Sequence, residues 1–96
     1  MDRRSREVID VPAEGHYAIT LDGKQAGLVA YERNGTTMTF THTEIDPAER
    51  GHGVGGDLVM GVLEDMRFRG LDVVPQCSFF KHWMNQHPEY DDLVKK

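Results

Sequence analysis

The sequence predicts an α+β domain: a mostly antiparallel sheet, opened by a three-stranded meander and followed by helix, strand and helix. Three observations predict it. Asp22–Gly23 and Asn34–Gly35 separate runs of alternating apolar and polar residues. A glycine-dense segment, ERGHGVGG, then ends the sheet run, and apolar residues at 54, 58, 59, 62, 63 and 66 follow at helical spacing. Beyond that helix only one short β-type run and one short helical run remain, so the helices come late.

Residues 1–15 read as a frayed arm with a short apolar patch, Val8, Ile9 and Val11, ahead of Pro12. Residues 16–96 read as the folded domain. HYAITL (16–21) alternates, with Tyr17, Ile19 and Leu21 on one face. Further strands are expected over 25–33 and 36–45. Asp-Gly and Asn-Gly favour type I′ hairpin turns because both central residues there need positive φ. Pro47 closes this run. The helix starts at Val54 and stops at Gly70, where a C-cap glycine belongs. LDVV is a fourth strand, stopped or loosened by Pro75, which lacks a ladder donor. Ser78 is a candidate cap for a short helix through FFKHWMNQ, which Pro88 limits. The tail EYDDLVKK adds a last strand or wraps.

The bulk properties exclude several classes. Ninety-six residues make one domain with room for one modest core. A net charge of −5 argues against nonspecific nucleic-acid binding. No apolar run is long enough to span a membrane. MDRRSREVID has no apolar stretch of the signal-peptide kind. The single cysteine, Cys77, suits a reducing cytoplasm and excludes an internal disulfide. Cys77, His82 and His87 form no paired motif of the zinc type, so no metal is expected.

Gly51, Gly53 and Gly56 stand as G-x-G-x-x-G. A dinucleotide fingerprint needs a strand running straight into the first glycine, within a parallel βαβ unit. Here polar DPAER intervenes, and Asp72 precedes the apolar VV instead of following it. A phosphate-binding P-loop fails as well, because Asp57 occupies the lysine position. Two readings remain open. The loop's amides and the helix N-terminus cradle a phosphate, or the segment is only a tight, glycine-rich turn.

RGHGVG between a hairpin-rich sheet and an amphipathic helix resembles the Arg-Gly-x-Gly-x-Gly loop of the GNAT N-acetyltransferase superfamily. FTHTEIDPAERGHGVG and RGLDVVPQCSFFKHWMNQHPEYDDLV resemble its very small single-domain GNAT-like members, over roughly residues 16–94. The resemblance implies a GNAT-like fold with a splay between the strands flanking the main helix. It implies acetyl-CoA (coenzyme A) as cofactor, with the pyrophosphate on the amides of Arg50, Gly51, His52, Gly53, Val54, Gly55 and Gly56. The pantetheine would run between the strands ending at Ile45 and Gln76, a backbone N–H near Ile45 would serve the oxyanion, and Cys77 would lie near the thiol. Lys81 or His82 would meet the 3′-phosphate or the pyrophosphate, and His87 is a further candidate contact.

Acetyl transfer needs a neutral amine, an oxyanion donor and a proton for the leaving thiolate. Alternation puts Met38, Phe40, His42 and Glu44 on one strand face. His42 and Glu44 are candidate bases, or a solvated strand end. Cys77 is a candidate proton donor or nucleophile at a helix N-terminus, or a small packed side chain. The late helix has no tyrosine to act as the usual acid, and Tyr90 lies beyond it. Phe79, Phe80, Trp83 and Met84 read as core, and Arg67 and Arg69 as a solvated helix face. The arm is too short to supply the N-terminal helices that wall the acceptor site in GNAT proteins. The expected function is acetyl-CoA-dependent transfer to an amine, carried by a small molecule, protein or peptide. A non-catalytic CoA or acyl-CoA binding module, or adaptor, is the alternative. A cytoplasmic monomer or weak dimer is expected.

Overall fold

A computed structural model describes residues 3–96. Five strands, β1 (Arg6–Val11), β2 (His16–Leu21), β3 (Lys24–Asn34), β4 (Thr37–Ile45) and β5 (Asp72–Pro75), form one sheet in the order β1-β2-β3-β4-β5. The first four pair antiparallel, and β5 joins β4 in parallel. Helix α1 (Val54–Arg69) makes the crossover between β4 and β5, and α2 (Ser78–Asn85) follows β5.

The meander follows from its turns. Asp22 (φ 50°) and Gly23 (φ 83°) both take the left-handed conformation that a type I′ turn requires. Gly70 (φ 68°) caps α1 through its amide on the Arg67 and Met66 carbonyls. Tyr17, Ile19, Val29, Met38 and Phe40 meet Leu58, Val59, Val62, Leu63 and Met66 of α1 and Phe80 and Met84 of α2 in a single core. Both helices therefore cover the same face of the sheet. None among the described residues is long and apolar enough to cross a membrane.

Two local expectations change, and two more are made specific. Residues 6–11 of the expected frayed arm are strand β1, paired from Arg6↔Leu21 to Val11↔His16. The reason is a close approach: a Cβ on Gly61 would sit 2.6 Å from Val8 Cγ2, so this glycine lets α1 press on the strand. Ser78 does not cap α2. Cys77 holds the N-cap position and Ser78 is the first helical residue. The tail wraps as a 3-10 helix (Pro88–Leu93) and then pairs, since Val94 bridges Val73 and Lys95 N donates to the Val73 carbonyl at 2.9 Å. Arg67 and Arg69 lie on the surface but are pinned there. Arg67 grips the Asp92 carboxylate at 2.7 and 3.0 Å, and Arg69 donates to Tyr17 Oη at 2.9 Å and to Asp10 and Asp65 at 3.2 Å.

Candidate functional site

β4 and β5 part for a reason written in the backbone. Their pairing ends at Phe40↔Pro75, where proline has no amide to continue the ladder. The amides of Gln76 and Cys77 both turn onto the Phe40 carbonyl, at 3.0 and 2.8 Å. β4 continues to Ile45 without β5 beside it, which opens a V between the strands.

A bulge then decides which side chains face the V. Ala30 pairs with His42 while Tyr31 pairs with Phe40, so Thr41 is an extra residue on β4. One inserted residue flips every later side chain to the other face. Met38 and Phe40 lie in the core. Beyond the bulge, Thr43 and Ile45 turn to the helix side and line the cavity. His42 and Glu44 point to the opposite, helix-free face, where His42 Nε2 lies 3.2 Å from Glu44 Oε2 and both side chains are more than 60% exposed. The expectation of one shared face for Met38, Phe40, His42 and Glu44 is therefore corrected. The backbone follows the same logic. Asp46 N donates to Ala26 on β3, and amides alternate along a strand, so those of Ile45 and Thr43 point to the open edge.

The glycine segment closes the wide end of the V. The Asp46 carboxylate accepts from Ala48 N at 3.0 Å and starts a 3-10 turn, Pro47–Glu49. Gly51 (φ 83°) and Gly53 (φ 75°) then take left-handed conformations, and Gly53 is the N-cap of α1. Among the described residues, the amides of Gly51 and Gly53 have no backbone acceptor. The first-turn amides of Val54, Gly55 and Gly56 have no intrahelical partner, and the helix end carries positive partial charge. Gly55 and Gly56 serve packing instead of turning. A Cβ at Gly55 would meet Phe79 Cζ at 2.7 Å, and one at Gly56 would meet Trp83 Nε1 at 3.0 Å. These two glycines let α2 lie against the first turn of α1.

Loop and V together enclose a cavity of about 430 Å³, lined among others by Thr43, Ile45, Arg50, Gly51, Gly55 and Phe79. It is apolar along Ile45 and Phe79 and rich in amides at the glycines. Arg50 is exposed at its rim, with no ion pair recorded among the described residues. His52 is exposed, and neither its side chain nor those of Lys81 and His82 line the cavity. Tyr90 is buried and donates to Glu64 at 2.6 Å. That hydrogen bond to a carboxylate, with burial, pushes its hydroxyl pKa up to about 12, and Tyr90 does not line the cavity. His87 stacks on Trp83 with centroids 3.6 Å apart and its Nδ1 donates to the Trp83 carbonyl at 2.8 Å.

Cys77 stands at the apex of the V, its Sγ 3.2 Å from Thr43 Oγ1. Burial pushes the thiol up, but the Thr43 hydroxyl and the amides of Phe80, Phe79 and Thr43 outweigh it, so its pKa lies below the ordinary value. A lowered pKa means more thiolate at a given pH. Alkylation of Cys77 by iodoacetamide should therefore reach half its limiting rate at lower pH than a free cysteine, and Thr43→Val should move that midpoint upward. A midpoint at or above the free-cysteine value would contradict this assignment.

Thr43 and Phe79 are cavity residues that sequence reasoning did not single out. Thr43 was hidden by the bulge, and Phe79 by its place in an apolar cluster that otherwise packs in the core.

The chain matches the sequence model of the GCN5-related N-acetyl-transferase family over residues 16–93. No curated protein matches it. Among solved structures, a GCN5-like protein from Staphylococcus aureus superposes with a TM-score of 0.70 at 24% identity, covering 93% of this chain and 87% of that one. The ribosomal-protein-S18-alanine N-acetyltransferase of Escherichia coli gives a TM-score of 0.56 at 20% identity, over 60% of this chain and 38% of that one. A GNAT family acetyltransferase from Brucella melitensis, in complex with acetyl-CoA, gives 0.55 at 18%, over 75% and 55%. The chain thus spans less than two thirds of the latter two proteins. At these identities the likeness is one of fold.

Proposed function

The chain belongs to the GCN5-related N-acetyltransferase family, and on that premise we propose that it is an acetyl-CoA-dependent N-acetyltransferase acting on an amine. One observation carries the reading: the amide-rich glycine loop and the open edge of β4 border the same cavity. A pyrophosphate needs donors without acceptors of their own, and an extended amide-bearing arm needs an unpaired strand edge. The residues present fit both needs.

Acetyl-CoA supplies an acyl carbon activated as a thioester. The amides of Gly51, Gly53, Val54, Gly55 and Gly56 would hold the pyrophosphate, with the Arg50 side chain adding charge at the rim. The amides of Arg50 and His52 are already given to the Pro47 and Glu49 carbonyls. The outward amide of Thr43 would hold the pantetheine, and that of Ile45 would donate to the thioester oxygen, on which negative charge develops during transfer. Cys77 would give a proton to the departing thiolate sulfur, with Thr43 orienting the thiol. His42 or Glu44 would take the proton that the attacking nitrogen loses, directly or through water. This requires the acceptor to approach from the helix-free face of the sheet. No helix walls that face among the described residues, so a protein or peptide amine fits as readily as a small one.

Thermal unfolding with acetyl-CoA, CoA, NAD and ATP tests the reading. At about 100 times its dissociation constant, a ligand adds about 2.7 kcal/mol. In a domain of this size each kcal/mol raises the midpoint by about 4–8 °C. Acetyl-CoA and CoA should raise it and NAD should not. Release of free CoA thiol on addition of an amine and peptide panel should follow. No shift with acetyl-CoA would overturn the proposal, and binding without any turnover would leave a CoA-binding module.

A further inference from the structure

β1 and the residues just before it lie outside the residues matched by the family model, yet they reach the glycine loop and both of its flanks. Arg6 Nη2 donates to the His52 carbonyl at 2.9 Å, and Arg6 Nη1 to the Asp57 carboxylate. Arg4, just before the strand, grips Glu49 with two hydrogen bonds of 2.8 and 2.6 Å. Glu49 precedes the loop, His52 lies within it and Asp57 follows it on the first turn of α1. All three are tied to one segment of chain.

We propose that Arg6 is a positioning residue for the anion-binding loop, acting through one peptide plane and one charge. The inference rests on the function proposed above. The peptide plane is the one joining His52 and Gly53. In a trans peptide the C=O and N–H point in opposite directions, so a carbonyl held on Arg6 aims the Gly53 amide away from the guanidinium. The strand thereby presents a donor to the anion and keeps an acceptor off it. The charge is that of Asp57. A carboxylate on a first helical turn suits the helix dipole but repels a phosphate bound at the same end. The Arg6 guanidinium, about one fifth exposed, neutralises it. With Arg6 in place, the loop can hold a polyanion in a chain of net charge −5.

The test measures coenzyme A binding by calorimetry on the full chain, with hydrogen exchange of the ligand-free protein. Arg6→Gln should weaken CoA roughly 10-fold or more, the range for a lost charged hydrogen bond. It should raise KM for acetyl-CoA and leave kcat at saturation unchanged. Asp57→Asn added to it should recover the electrostatic part of the loss, and Arg6→Lys should fall between Arg6→Gln and wild type. In ligand-free Arg6→Gln the amides of residues 51–56 should exchange faster, while those of β2 and β3 stay as they were. Unchanged CoA affinity with unchanged loop exchange in Arg6→Gln and Arg6→Lys overturns the proposal. Should wild type itself fail to bind CoA, the proposed function falls, and the exchange arm alone decides for Arg6. Faster loop exchange then upholds its hold on the loop, and unchanged exchange ends it.

Discussion

Replacing Phe40 with alanine is expected to cost about 3–5 kcal/mol of folding stability, the range for a fully buried aromatic. Phe40 has no exposed surface. Its ring stacks on Phe80 at 4.6 Å and 5° between planes, and meets Tyr31 edge-on at 6.2 Å. It is also the β4 residue of the last pair before the strands part, opposite Pro75. Alanine would remove the stack that fastens α2 to the sheet and leave a void under the apex of the V. The surrounding rings are too rigid to fill it. At about 4–8 °C per kcal/mol for a domain this small, the thermal midpoint should fall far enough that little folded protein survives mild heating. Urea unfolding followed by tryptophan emission measures the loss directly, since Trp83 is the single tryptophan. A loss below about 1 kcal/mol would mean that the site collapses around the missing ring and that the Phe40–Phe80 stack is not central to the core.

Gly55→Leu should have the opposite profile, with folding kept and ligand lost. Gly55 is on the first turn of α1, in ordinary helical conformation, so a side chain meets no backbone strain there. Its Cβ would point at Phe79 Cζ and toward Ile45 Cγ1, at 2.7 and 3.5 Å, both of which border the cavity. Phe79 is 42% exposed, and the atoms that must give way are those at the outer end of its ring. Leucine would then occupy the apolar part of the cavity, where the proposed pantetheine arm runs. CoA affinity should fall at least about 100-fold, equivalent to about 2.7 kcal/mol, with a thermal midpoint near that of wild type. Full CoA affinity in a folded Gly55→Leu protein would show that the cavity between Ile45 and Phe79 is not the binding path.

Much of this fold was legible because its signals are local. A two-residue hairpin turn is decided locally, so Asp22–Gly23 and Asn34–Gly35 announced the meander. The first is the expected type I′ turn, whereas the second falls on Gly35–Thr36 with positive φ at Gly35 alone, because Asn34 still pairs with Thr37 as the last residue of β3. The bounds of α1 follow from apolar spacing and Gly70, a cap that only the last turn of a helix uses. Pro75 announced the parting of β4 and β5, because a missing amide is a property of the residue itself.

The facing of β4 was not legible. Phe40 and His42 look alike in spacing, and nothing in THTE says that Thr41 is surplus. The bulge is a one-residue shift of register between the β3–β4 pairing that starts at Asn34↔Thr37 and the pairing that ends at Gly27↔Ile45. That is a condition on a pair of strands. The two glycines at 55 and 56 read as loop chemistry, yet the space they leave is filled by Phe79 and Trp83, which lie more than twenty residues further on.

The sequence by itself determined the meander, the glycine turn into α1, the break at Pro75 and membership in a family with a known loop motif. Each rests on residues close together in the chain or on the conformational limits of glycine and proline. Only the tertiary structure decided that Thr43 and Ile45 face the cavity while His42 and Glu44 turn away. It alone made a strand of the N-terminal segment and joined Arg6 to Asp57 across fifty-one positions. Ion pairs and strand registers are made between distant segments, and their energy depends on positions in space that no local pattern encodes.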